Sequence, residues 1–114
     1  MTVGEFRGAY QHMLDAILAT GVRAYVCTIY RPRFPEENMQ RVACTALGLF
    51  NDVIIEEAAL RGLPVIDLRK FFTSDRDYAN PIEPSVEGGD KLATTIRRVA
   101  LEANSHAPSG IQIV

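Results

Sequence analysis

Ala24-Tyr25-Val26-Cys27-Thr28-Ile29-Tyr30 is apolar on both alternations and rich in β-branched and aromatic side chains. A strand with one wet face alternates apolar with polar residues. A strand covered on both faces does not, and that habit belongs to parallel strands inside an α/β layer. Arg31-Pro32-Arg33-Phe34-Pro35 ends the run, because two prolines cannot continue a central ladder. The pattern returns in Leu63-Pro64-Val65-Ile66-Asp67-Leu68, where Pro64 is tolerable only near the strand start.

Outward from these two strands the chain reads as helix. Thr2 and Glu5 have capping-box spacing, and Val3, Phe6, Tyr10, Met13, Leu14, Ile17 and Leu18 follow at helical spacing, predicting a helix over 3–20 that stops at Gly21. A longer helix is expected over 37–61, closed by Gly62, with Met39, Val42, Ala43, Ala46, Phe50, Val53, Ile54 and Ala58 as its buried stripe. Residues 69–84 are irregular. Ser85 is the expected N-cap of a third helix reaching about Ala103, with Leu92, Ile96 and Val99 turned inward. Residues 105–110 read as a loop and Ile111-Gln112-Ile113-Val114 as a third strand.

Strands alternating with helices imply right-handed crossovers and a parallel sheet. The expected fold is therefore α/β: a truncated flavodoxin-like parallel sheet with helices on both faces, formed by residues 1–114 as a single domain. Such a sheet is thin and has an unpaired edge, which proteins usually cover. That deficit leads to the expectation of a homo-oligomer or of a second chain that completes the sheet.

Composition narrows the function. Twelve basic residues against 14 acidic ones leave a formal charge of −2, and no basic block is present to neutralise phosphates, so nucleic acid is not the expected partner. No apolar run approaches the ~20 residues of a bilayer span, and Met1-Thr2-Val3-Gly4-Glu5 does not read as a signal peptide. Cys27 and Cys44 lack CxxC spacing and a His-rich companion, so they read as reduced thiols of a cytoplasmic protein. Neither a metal site nor a cofactor is expected. His12 falls on the polar side of the first helix, and His106 lies in a loop without companion ligands.

Three stretches together resemble the C-terminal half of SGNH/GDSL hydrolases, a family of esterases and acylhydrolases. Thr28-Ile29-Tyr30-Arg31-Pro32 is similar to the family's "TIYxP" strand. Phe50-Asn51-Asp52-Val53-Ile54 and Val65-Ile66-Asp67-Leu68 are similar to its "fN-x-x-I" helix and "vDL" strand. The segment from Asp77 to Ala93 resembles its last block, D-x-x-H-P-s-x-x-G-x-x-x-i-A. The resemblance implies a flavodoxin-like fold and serine ester hydrolysis.

The departures remove the chemistry. No Gly-Asp-Ser nucleophile motif is present, and Asn51-Asp52 lies within a helix rather than in a GxND loop. The family's Asp and His positions fall on Asn80 and Glu83. An Asn cannot supply the charge that stabilises an imidazolium, and an ordinary Glu is a weak base at neutral pH. Glu83 reads either as an unusual base or as a loop residue tying down amides or an arginine. Asp67, Tyr30, Arg31 and Ser85 mark a candidate site rim at the C-terminal ends of the strands, where ligands gather in open α/β sheets. Arg31, Arg33 and Phe34 form either a grip for an acidic or acyl substrate or a solvated loop. Gly88-Gly89 reads as an anion approach or as close packing. The leading expectation is a non-catalytic SGNH-like domain that self-associates or pairs with another chain. The alternatives are an ester hydrolase completed by an N-terminal half on a partner chain, and a small-ligand binding module in the crevice beyond Ile29 and Asp67.

Overall fold

The structure, a computed structural model, describes residues 1–105. Helix α1 spans Val3–Leu18 and opens on the reciprocal capping box of Thr2 and Glu5. Helix α2 spans Glu37–Leu60, its first amides bonded to the Glu36 carboxylate. Helix α3 spans Val86–Ser105, and Ser85 Oγ accepts the Gly88 amide at 3.0 Å. Gly21 and Gly62, after the first two helices, have φ of 79° and 66°. That left-handed turn is costly for any side-chain-bearing residue, so glycine stands there.

Strands β1, Val26–Cys27, and β2, Val65–Ile66, pair in parallel, with Val26 opposite Val65 and Cys27 opposite Ile66. The expected flavodoxin-like α/β sheet layered by helices on both faces is not formed among the described residues. The described residues are mostly helical, and the sheet among them is two strands of two residues each. The physical reason lies in the hydrogen bonds. The ladder ends where Thr28 N donates to Ile66 O at 3.0 Å, and the next groups bond to side chains instead of to a neighbouring strand. Apolar, β-branched composition marks a covered segment, but a ladder also needs a partner backbone in register. The proposed third strand, Ile111–Val114, lies outside the described residues, as does His106.

Two apolar clusters hold the fold. Val26, Val65 and Leu63 pack with Leu14 of α1 and with Ile54 and Ala58 of α2. Ile66 and Leu68 pack with Val99 and Leu92 of α3. Val65 is 0% and Ile66 1% exposed, so these strand residues are covered within the chain and need no partner to hide them.

The core stripe is shorter than its sequence pattern. Met13, Met39 and Val42, expected in the core, are 44, 53 and 69% exposed. Contacts between α1 and α2 run from Phe6 against Phe50 to Asp15 against Arg61. At 1.5 Å per residue α2 is about 36 Å long and α1 about 24 Å. The first half of α2 therefore runs past α1 with an apolar face still showing. Helix α1 is tied to the second half of α2 by the Glu57 carboxylate, 1% exposed, which accepts from Arg7, Gln11 and Arg61.

Candidate functional site

The C-terminal ends of the two strands are organised by Thr28 and Asp67. The buried Thr28 hydroxyl donates to Asp67 Oδ1 at 2.9 Å and accepts the Leu68 amide at 2.9 Å. Asp67 also accepts from Arg69 through Nε at 2.8 Å, Nη2 at 2.9 Å and the main-chain amide at 3.2 Å. The Arg69 hydrogen bonds, with that of Thr28, outweigh partial burial and hold the Asp67 carboxyl down at about 2. A carboxylate so fully engaged is a poor proton acceptor at neutral pH. Asp67 caps the short helical turn Leu68–Lys70.

The loop before α3 is built on itself. The buried Asp77 carboxylate accepts the amides of Thr73 and Ser74 and the ammonium of Lys91. A side chain on Gly88 would sit inside contact distance of the Asp77 main chain, 2.8 Å from its carbonyl carbon, whereas Gly89 faces open space. Of the two glycines, only the first packs closely. Asn80 Oδ1 accepts the amides of Ile82 at 2.9 Å and Glu83 at 2.8 Å, and Ala79 N donates to Glu83 O at 2.9 Å. Asn80, not Glu83, thus ties the loop. The Glu83 side chain is exposed, and its charge adds to burial in raising the Tyr30 phenol.

Each sequence-derived rim residue now has a place. The Tyr30 hydroxyl donates to Ile82 O at 2.8 Å, fastening the loop to the end of β1. Its ring packs 4.4 Å from Phe72 and 5.8 Å from Tyr78, and the Tyr78 hydroxyl donates to Arg31 O. Ser85 Oγ donates to Arg76 O while accepting Gly88 N, the role of a helix cap. Neither a histidine nor a carboxylate is hydrogen-bonded to it among the described residues. Nor do His, Cys, Asp and Glu gather into a metal-holding group among those residues. No helix of the described residues is long and apolar enough to cross a membrane.

Three concave features lie here: one of about 370 Å³, lined by Arg33, Phe34, Pro35, Gln40 and Asp75, shares residues with two others. The largest is an apolar groove of about 460 Å³ between Ile29, Tyr30, Pro32 and Phe34 on one side and Ala43, Ala46 and Leu47 of α2 on the other. The smallest, about 210 Å³, shares Pro32 with that groove and is lined by Arg31, Arg33, Arg69, Gln40, Phe72 and Thr73. A residue that the sequence did not single out for a role is Asn51, which is 1% exposed within α2. Its signal was available: position 51 falls inside the Phe50, Val53, Ile54 stripe, where a polar side chain needs a buried partner. Comparison with protein-family models, curated proteins and solved structures finds no match.

Proposed function

We propose that the chain is a non-catalytic association domain, and that a second copy of itself covers the exposed Val42 and Leu49 face of the first half of α2. The observation that carries this reading is the unpartnered face of α2. Val42, Thr45 and Leu49 follow at i, i+3 and i+7 on one side of α2, and Val42 and Leu49 are 69 and 52% exposed. Apolar patches of this kind, rimmed by charge, mark interaction surfaces.

Charge favours a second copy as the occupant. Arg41, Thr45, Gly48 and Asp52 follow at i, i+4, i+7 and i+11, one stripe beside the apolar one. In an antiparallel α2 pair centred between Thr45 and Gly48, Arg41 of each copy faces Asp52 of the other, and the small central residues let the helices approach. Such a contact is self-complementary, as a two-fold interface must be. The resemblance to SGNH/GDSL sequences supports the absence of catalysis, since their charge-relay positions fall on Asn80 and Glu83. Cys27 and Cys44 are free thiols, which supports the cytoplasm as the compartment.

Sedimentation of the full chain at micromolar concentration tests the reading. A dimer is expected, weakened by Val42→Glu and by Arg41→Glu, with Asp52→Arg restoring association in the Arg41→Glu background. A folded monomer at tens of micromolar overturns it. So does a dimer indifferent to all three substitutions.

A further inference from the structure

We infer that the cleft between the ends of β1 and β2 is a binding site for a small phosphate monoester, with Arg31, Arg33 and Arg69 as its anion-binding side chains. The lining includes three arginines and no acid. Two of the guanidiniums are held in place from behind. Arg69 is forked onto Asp67 through Nε and Nη2, at 2.8 and 2.9 Å. Arg33 reaches Asp75 at 3.0 Å, donates to Thr73 O and lies 5.6 Å from the centre of the Tyr78 ring. Asp67 and Asp75 engage Arg69 and Arg33, and the charge of Asp52 also reaches Arg69, so Arg31, an exposed residue, is the one lining guanidinium with no carboxylate paired to it among the described residues.

The cleft walls are equally fixed. Gln40 receives the Phe34 amide at 2.7 Å and donates to Pro32 O at 2.6 Å, so the Pro32 wall is pinned to α2. Phe72 is 3% exposed and wedged against Tyr30. Donors held before the ligand arrives lose little freedom on binding, which favours affinity. A guanidinium has five N–H donors, so Arg69 and Arg33 keep donors beyond those spent on Asp67, Asp75 and Thr73, and a cleft lined by arginines suits a phosphoryl group better than a planar carboxylate with two oxygens. The cleft opens outside the carboxyl ends of parallel strands, the usual place for ligands beside such strands. Its volume admits a small molecule, and the overall charge of −2 gives no long basic track for a nucleic acid.

Glycerol phosphate and inorganic phosphate, titrated into the full chain at constant ionic strength, are the probes. Both are expected to raise the melting temperature and to shift the amide resonances of Gln40, Arg69 and Thr73. Arg31→Gln should weaken binding about tenfold, and Arg31→Lys less. No response beyond that to chloride overturns the site, as does an unchanged affinity in Arg31→Gln. A stronger response to acetate and succinate than to phosphate overturns the phosphoryl assignment. Arg31 lies outside the proposed α2 contact, so sedimentation of Arg31→Gln separates this failure from failure of the association reading.

Discussion

Asn51 pairs with both main-chain groups of Ile29: the Ile29 amide donates to Oδ1 at 2.7 Å, and Nδ2 donates to the Ile29 carbonyl at 2.9 Å. A helix side chain thereby takes the place of a neighbouring strand. Val26 and Thr28 turn their amides toward β2. Ile29 belongs to the opposite alternation, so Asn51 closes β1 at its outer edge. A carboxamide carries a donor and an acceptor at amide spacing, which is why no apolar residue of the same size can replace it.

Asn51→Ala should lower stability by about 2–3 kcal/mol, since it strands a main-chain donor and acceptor in a part-buried place. Asn51→Asp should also destabilise, because a carboxylate accepts the Ile29 amide but repels its carbonyl. Chemical denaturation measures both. Stability equal to the parent in Asn51→Ala would show that water satisfies Ile29 instead.

Adjacent glycines give a second, sharper comparison. Gly88→Ala drives a methyl into the Asp77 main chain, which cannot swing aside as a side-chain tip can. A loss of about 3 kcal/mol or more is expected. Gly89 faces open space within α3, so Gly89→Ala should be stabilising, by up to about 1 kcal/mol. Thermal melts of the two variants should therefore move in opposite directions.

The local chemistry of the chain was legible in its sequence wherever it is set by neighbours along the chain. The Thr2–Glu5 box, the stops at Gly21 and Gly62 and the Ser85 cap are all present. The architecture was not legible, because covered strands and covered loops share one composition. Residues 28–30 look like strand, yet their hydrogen bonds go in part to Asn51, Asp67 and the 80–83 loop. Met39 and Val42 carry a correct helical period, but period cannot say how far along α2 the covering helix reaches. Among site residues, Tyr30 and Arg31 do border concave surfaces, whereas Asp67 and Ser85 serve as caps.

Esterase activity on short acyl p-nitrophenyl esters should be absent. Ser85 is committed to Arg76 O and Gly88 N, and neither a histidine nor a carboxylate is hydrogen-bonded to it among the described residues. Turnover well above the uncatalysed rate that disappears in Glu83→Gln would refute this.

The 80–83 loop separates the two residues that the sequence placed together. Asn80→Ala removes an acceptor shared by two amides and should cost about 1 kcal/mol. Glu83→Ala should leave the melting curve unchanged, because its exposed side chain ties down neither an amide nor an arginine among the described residues. Equal losses in both would return Glu83 to a structural role.

Thr28 and Asp67 give a prediction with a pH signature. Thr28→Val removes a buried hydroxyl that serves Asp67 as donor and Leu68 as acceptor, so the Leu68 amide loses its partner. A cost of about 1–3 kcal/mol is expected at neutral pH. Asp67 has a folded-state value of about 2 against an ordinary 3.8, so it binds its proton more readily when unfolded. Its contribution is therefore complete above about pH 4 and fades as the pH falls toward 2. Asp67→Asn keeps the size but loses the charge that holds Arg69, so this variant should be less stable at pH 7 and should lose less stability between pH 4 and 2. Urea denaturation of both chains across that range is the measurement. Parallel pH profiles would mean that the Asp67–Arg69 fork adds nothing to folding and that another carboxylate carries the acid sensitivity.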